Sequence, residues 1–113
     1  MPKKKIILTG IGASPGEIGG RVEIVNSSKE INGLKECRII VSSFLTPDLL
    51  PEIKKNKYIL GMVTDRGGRT CHAAIVAREL GIPYIAGAMN ATKLLSKNKE
   101  INMDGRKGII YEA

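Results

Sequence analysis

The chain has 113 residues and a formal net charge of +7, a length that allows one hydrophobic core and excludes a second domain. We therefore predict a single domain over residues 1–113. The basic balance raises a nucleic-acid binder as one hypothesis, but one Phe and no Trp leave few side chains to stack on bases. No apolar run is long enough to span a bilayer and no signal peptide is recognisable, so we expect a cytoplasmic protein that contacts neither membrane nor nucleic acid.

The first half of the chain alternates short apolar segments with polar connections. Four segments are predicted to be strands, because they alternate in polarity or are continuously apolar: 5–8, 21–25, 37–41 and 58–63. The glycine-containing segment 10–20 is predicted to be a loop, and 26–33 a polar connection. A short helix is predicted to begin at Ser43 or Thr46, with Pro47 in its first turn.

The second half contains the most regular helical pattern, over residues 71–80, which Gly81 is predicted to end. Arg78 and Glu79 are predicted to point to water, whereas four residues at helical spacing are predicted to pack on the sheet: Ala73, Val76, Ala77 and Leu80. The elements predicted after it are a strand at 84–86, a helical turn at 90–95 with Ala91, Leu94 and Leu95 inward, and a hairpin of 100–103 and 108–111. Strands that alternate with helices indicate an α/β fold.

The only histidine, His72, lies where a glycine loop is followed by the predicted helix. A helix start leaves backbone N–H groups unpaired and carries positive potential, which favours a nearby phosphoryl group. We therefore predict that His72 is a nucleophile for phosphate. Arginines share the charge of a phosphate and glycines let backbone approach closely, so five residues before His72 are predicted to bind it: Arg66, Gly67, Gly68, Arg69 and Thr70.

The same residues also have structural explanations. Thr70 is predicted to cap the helix, and Asp65 to orient an arginine or the backbone of its own loop. We expect no metal site, because Cys71 and His72 are adjacent and no second histidine or matching cysteine pair completes one. Cys37, predicted to lie in an apolar strand, and Cys71 are both expected to be reduced thiols. Segment 12–16 lacks the ending of a phosphate loop and is interpreted as a structural turn.

Taken together, these motifs resemble the mobile phosphohistidine domain of phosphoenolpyruvate-utilising enzymes, a family that includes phosphoenolpyruvate synthase and pyruvate phosphate dikinase. The resemblance covers nearly the whole chain, in segments 10–16, 20–22, 46–48, 64–87, 90–92 and 104–105, with Pro51. Gly-Gly-Arg-Thr-Cys-His is most similar to phosphoenolpyruvate synthase, whereas many relatives have Ser at the position of Cys71. Ala88 and Met89 depart from the family pattern, which puts the docking surface beside the motif in doubt. The resemblance implies a swivelling β/β/α domain, in which strands form a barrel-like double layer with helices on one side.

The resemblance also implies a function. His72 would accept a phosphoryl group and relay it between a nucleotide site and a pyruvate or phosphoenolpyruvate site on partner domains. ATP and Mg²⁺ are expected at those partner domains, and no cofactor is expected on this chain. The chain is not expected to be active alone, because 113 residues cannot hold the partner domains as well. Thr70 matches a position that a regulatory kinase phosphorylates in relatives. The alternative is a regulatory or binding module that keeps the fold without catalysis; a nucleic-acid binder ranks last.

Overall fold

A computed structural model describes residues 5–113, so the lysine-rich start at 1–4 lies outside the described residues. The chain forms eight strands: β1 (Ile6–Thr9), β2 (Ile11–Ser14), β3 (Glu17–Ile24), β4 (Arg38–Ser42), β5 (Ile59–Thr64), β6 (Tyr84–Ala86), β7 (Glu100–Asp104) and β8 (Ile109–Glu112). The α-helices are α1 (Ser28–Asn32), α2 (Leu50–Lys55), α3 (His72–Leu80) and α4 (Ala91–Leu94), and a 3₁₀ turn at Pro47–Leu49 leads into α2. No helix in this part of the chain is long and apolar enough to cross a membrane.

The strands form one mixed sheet in the order β1-β8-β7-β3-β4-β5-β6-β2. Strands β3 to β6 are parallel neighbours, whereas β1, β8 and β7 form an antiparallel run and β2 pairs antiparallel with β6. Strand β3 joins the two parts, because residues 17–21 pair with β7 and residues 22–24 pair with β4. The predicted α/β class is confirmed. The sheet does not close into a barrel, since β1 and β2 each have one neighbour among the described strands.

The sheet folds over itself at β3 to give the expected double layer. Its inner core brings antiparallel-strand side chains against the parallel strands: Leu8, Ile101, Met103 and Ile110 against Val22, Ile39, Val41, Val63 and Ile85. The outer face of the parallel strands packs against α1, α2 and α3 through a second core that contains Ile31, Ile40, Ile53, Met62 and Ala77. Helix α4 instead contributes Ala91 to the inner core. Three of the four helices thus lie on one side of the sheet, as predicted.

Two predictions in the first third of the chain are wrong. Segment 10–20 contains strand β2 and the first half of β3 rather than a loop. Its glycines serve close packing, since a Cβ on Gly12 would lie 2.7 Å from the carbonyl oxygen of Gly105. Segment 26–33 contains α1, whose first turn is capped by the Ser27 hydroxyl, which accepts a hydrogen bond from the N–H of Glu30. Ser27 and Glu30 have the spacing of a capping box, and the Glu30 carboxylate accepts in return from the N–H of Asn26.

Three smaller predictions also fail, each at the end of an element. Leu80 and Leu94 were predicted inward but are 42 % and 56 % exposed, because each is the last residue of a short helix. Ala74 is fully buried instead. Cys37 precedes β4 and is exposed, although both cysteines are free thiols as expected. The terminal hairpin of β7 and β8 and the strand at 84–86 are confirmed.

Candidate functional site

Residues 65–71, here called the histidine loop, connect the carboxyl end of β5 to α3. Strand β5 lies between β4 and β6, so the loop emerges from the middle of the parallel strands, where α/β sheets commonly place their sites. The backbone N–H of Asp65 donates to the carbonyl of Ser42, and that of Arg66 to the carbonyl of Ser43, both at 3.1 Å. The start of the loop is therefore a continuation of the sheet next to β4.

A buried hydroxyl pair supports the loop from below. The Thr64 hydroxyl donates to the carbonyl oxygen of Arg66 at 2.7 Å, and the Tyr84 hydroxyl lies 2.7 Å from the same Thr64 oxygen. Because the single Thr64 proton is used by Arg66, Tyr84 is the donor to Thr64. Burial raises the pKa of the Tyr84 phenol above its usual range, so this proton stays in place. Neither residue was singled out from the sequence, since both look like ordinary strand residues.

The two loop glycines have different roles. Gly67 has a φ of +127°, and a Cβ there would lie 3.1 Å from the Tyr84 hydroxyl, so a larger residue would be both strained and crowded. Gly68 has no such φ, and a Cβ added to it meets no atom within 4 Å. Its carbonyl accepts hydrogen bonds from the N–H and the thiol of Cys71, which closes the end of the loop. Only Gly67 is required by backbone geometry.

His72 is the first residue of α3, and its side chain is exposed. Across residues 5–113 no hydrogen bond or ion pair to its imidazole occurs, so the ring nitrogens are open to an incoming group. The histidine borders an open, largely apolar groove of about 430 Å³ between α2 and α3. The other groove residues are Pro47, Leu50, Pro51, Lys54, Ile75, Val76 and Glu79.

The helix start is not capped in the predicted way. Cys71 occupies the cap position with extended backbone, φ −72° and ψ 158°, and no side chain there accepts a hydrogen bond from the helix. The prediction that Thr70 caps α3 is therefore wrong, because the turn closed by Gly68 and Cys71 places Thr70 one residue too early. Thr70 is exposed instead. The first N–H groups of α3 consequently remain available to an anion beside His72.

Arg66 and Arg69 lie on opposite sides of the loop. The Arg66 guanidinium donates to the Ser43 hydroxyl at 3.4 Å, next to β4, and the Arg69 guanidinium donates to the carbonyl of Gly12 at 3.3 Å, in β2. Both side chains are exposed, and neither has a carboxylate partner in the part of the chain that the structure describes. Two long hydrogen bonds to neutral groups leave both positive charges free to pair with a phosphate.

Two further side chains fix the loop. Asp65 accepts from the Thr92 N–H at 2.9 Å and the Thr92 hydroxyl at 2.6 Å, and so joins the loop to α4 rather than to an arginine or to its own backbone. Arg78 is exposed, as predicted, but its Nη1 also donates to the carbonyls of Ala13 at 2.7 Å and Arg69 at 3.1 Å. These contacts join residues distant in sequence, so no local pattern signals them. Among residues 5–113, no group of three His, Cys, Asp or Glu side chains could hold a metal ion.

Solved structures with this fold include two Enzyme I proteins. An NMR structure of an Enzyme I protein matches with a TM-score of 0.62 and 36 % identity, over 71 % of this chain and 32 % of that one. A second structure, the N-terminal domain of Enzyme 1 - Nitrogen, matches with a TM-score of 0.58 and 29 % identity over 73 % of this chain and 34 % of that one. Aconitase X from Thermococcus kodakaraensis has a TM-score of 0.68 at 18 % identity, covering 92 % of this chain and 95 % of that one, which shows likeness of fold alone.

Curated relatives are larger proteins. A probable phosphoenolpyruvate synthase from Archaeoglobus fulgidus is 49 % identical over 96 % of this chain, and the phosphoenolpyruvate synthase of Pyrococcus furiosus is 45 % identical over 96 %. The chain spans only 14 % and 13 % of their respective lengths. A family model described as the mobile domain of PEP-utilising enzymes matches residues 34–108, which includes the histidine loop and α3. The chain therefore belongs to the family of PEP-utilising enzyme mobile domains.

Proposed function

We propose that His72 accepts a phosphoryl group and passes it on. The observation that carries the proposal is an exposed imidazole at an uncapped helix start, for which residues 5–113 provide no hydrogen-bond or ion-pair partner. Two arginines that have no carboxylate partner among those residues lie on either side of the loop before it. An exposed structural histidine needs none of these features, whereas each of them favours transfer of a phosphoryl group to the ring. The curated relatives' name, phosphoenolpyruvate synthase, supports the same chemistry.

The step is an in-line displacement at phosphorus. A ring nitrogen of the neutral imidazole forms the N–P bond while the P–O bond of the donor breaks, and the leaving oxygen keeps the electron pair. Negative charge spreads over the transferring oxygens, where Arg66, Arg69 and the first N–H groups of α3 would stabilise it. Transfer from the phosphohistidine to an acceptor repeats the displacement in the opposite sense. One difficult transfer is thereby divided into two easier ones.

The donor and acceptor sites belong, in this proposal, to partner domains or subunits. ATP with Mg²⁺ would bind one of them and pyruvate or phosphoenolpyruvate the other, and this chain would hold no cofactor of its own. The relay would then resemble that of phosphoenolpyruvate synthase, of which this chain matches 14 % and 13 % of the length in the two relatives above. The single chain would carry the phosphoryl group without turning over by itself.

The proposal also gives Thr70 a regulatory role. Its exposed hydroxyl caps nothing and lies two residues before His72, so it is accessible to a modifying enzyme. A phosphate on Thr70 would add a negative charge of about 1.5 to 2 beside the path of the incoming phosphoryl group. Repulsion between the two groups would slow acceptance by His72.

The test combines the chain with each kind of partner. Labelled ATP is added with the nucleotide-binding part of the Pyrococcus furiosus relative, and labelled phosphoenolpyruvate with its phosphoenolpyruvate-binding part. We expect an acid-labile, base-stable label on His72 from at least one donor, and none in His72→Ala. A label retained in His72→Ala would refute the nucleophile. A chain that binds the partner without any label would instead be a regulatory or binding module.

A further inference from the structure

The Arg78 side chain uses a single nitrogen to contact both the histidine loop and a strand that is distant from it in sequence. Its Nη1 donates to the carbonyl of Ala13 in β2 at 2.7 Å and to the carbonyl of Arg69 at 3.1 Å. Arg78 lies on α3, the helix that begins with His72. One charged donor therefore joins the strand, the end of the loop and the helix that carries the histidine.

Strand β2, which accepts this contact, is itself held in place by hydrogen bonds. It pairs with β6, and the Ser14 hydroxyl donates to the carbonyl of Ile82 at 2.7 Å. Hydrogen bonds from a charged donor to a carbonyl are stronger than those between neutral groups. Within the described chain Arg78 has no carboxylate partner that would draw its guanidinium away. The Arg69 main chain is thus held against β2 by a side chain with no competing role.

Arg69 and Arg78 bind adjacent carbonyls of β2, but their contacts have different roles. The Arg69 side chain reaches the carbonyl of Gly12 by a longer bond of 3.3 Å, adjacent to the Ala13 carbonyl that Arg78 binds. When a phosphate arrives, the Arg69 guanidinium can exchange this weak bond for the anion, while Arg78 keeps the Arg69 backbone in place. The position of the loop end does not then depend on whether Arg69 binds phosphate.

We propose that Arg78 is a positioning residue for phosphoryl transfer, acting through the carbonyl of Arg69 to hold the loop end, and thereby His72, in the geometry of attack. This inference rests on the proposed function of His72. Without Arg78 the carbonyl of Arg69, three residues before the nucleophile, loses the donor that ties it to β2, and the longer bond from the Arg69 side chain to Gly12 remains. A misplacement of about 1 Å costs phosphoryl transfer on the order of 10- to 100-fold in rate.

The experiment compares Arg78→Ala and Arg78→Lys with Arg21→Ala. Arg21 is a matched control, because it is an exposed arginine on β3 whose ion pair with Glu100 lies outside the site. Labelling of His72 is followed over a range of partner concentrations, as in the test of the proposed function. We expect Arg78→Ala to lower the maximal rate at least tenfold with an unchanged half-saturating concentration, Arg78→Lys to restore part of the rate, and Arg21→Ala to equal the unmodified chain.

A spectroscopic arm does not depend on activity. Backbone amide NMR of the whole chain is expected to show increased mobility at Arg69, Thr70 and Cys71 in Arg78→Ala, with the amides of β7 unchanged. If the unmodified chain takes no label, the proposed function fails and the role of Arg78 in phosphoryl transfer fails with it, while the NMR measurement still decides whether Arg78 holds the loop end. Unchanged loop amides in Arg78→Ala, or a labelling rate equal to that of Arg21→Ala, would overturn it. If Arg78→Ala does not fold, the labelling rate and the amide NMR of Arg78→Lys decide the inference in its place.

Discussion

The buried hydroxyl pair of Thr64 and Tyr84 beneath the histidine loop predicts that Thr64→Val and Tyr84→Phe lower the free energy of unfolding by unequal amounts. Thr64 is fully buried and Tyr84 is 1 % exposed. Thr64→Val removes both hydrogen bonds, to the Arg66 carbonyl and from the Tyr84 phenol, and leaves the buried phenol without its acceptor. A stranded buried polar group costs about 1–3 kcal/mol. Tyr84→Phe removes one bond, and the Thr64 hydroxyl keeps its bond to Arg66.

From these contacts we expect Thr64→Val to lower the free energy of unfolding by about 2–3 kcal/mol, and Tyr84→Phe by about 1 kcal/mol. The double variant is expected to cost no more than Thr64→Val alone, because removing the phenol also removes the stranded group. Urea unfolding measures all three, and a loss of about 2 kcal/mol moves the midpoint by about 1 M. Additive costs, or a larger cost for Tyr84→Phe, would refute the assigned direction of the bond.

Three further predictions concern charge. Arg69→Ala is expected to slow labelling of His72 about tenfold without abolishing it, since the guanidinium stabilises the transferring group but forms no bond to phosphorus; an unchanged initial rate would mean that Arg69 is merely solvated. Thr70→Glu is expected to label about tenfold more slowly than the equally long, neutral Thr70→Gln at equal thermal stability, and equal rates would place Thr70 away from the phosphate path. Asp104→Asn is expected to lower the free energy of unfolding by about 1 kcal/mol at pH 7 and by less at pH 3, measured by urea unfolding.

The sign of the Asp104 prediction follows from its environment. The N–H of Lys107, and then that of Arg106, donates to the carboxylate and lowers the pKa of Asp104 below its ordinary value of 3.8. The folded state therefore favours the ionised form. The resulting stability is fully present above pH 3.8 and is lost as the pH falls through the lowered value. A cost of Asp104→Asn that is the same at pH 7 and pH 3 would contradict this account.

The parts of the fold that were predicted correctly rest on local chemistry. The largely apolar segments 37–41, which contains Arg38, and 58–63 place β4 and β5 within a residue or two, because such segments need burial on both faces. The helix predicted over 71–80 matches α3 to within one residue at its start, because the glycines before it and the apolar spacing after it delimit it. Strand β2 was missed because its Gly12 resembles a turn signal, although it serves close approach to Gly105.

The position of the candidate site in the chain could be predicted from the sequence, but the tertiary contacts that hold its loop could not. The residue types of the histidine loop indicate phosphate chemistry by themselves. Arg78, however, binds a carbonyl 65 residues earlier in the chain, and Asp65 binds a threonine 27 residues later. Tertiary folding alone decides which carbonyl or hydroxyl comes within reach of such a side chain. The prediction of the α3 cap failed for a different reason, since a shift of one residue at a helix start changes which side chain occupies the cap.

The pairing of the first and last strands has a mechanical consequence. Strands β1 and β8 are antiparallel neighbours, and the N–H of Glu112 donates to the carbonyl of Lys5 at 2.8 Å. A longer polypeptide built around this unit would enter and leave it within one hydrogen bond of the same point. Two attachments that coincide act as a pivot, about which the body turns without stretching either connection. Widely separated attachments would restrict its orientation, whereas two attachments at this edge of the sheet would not.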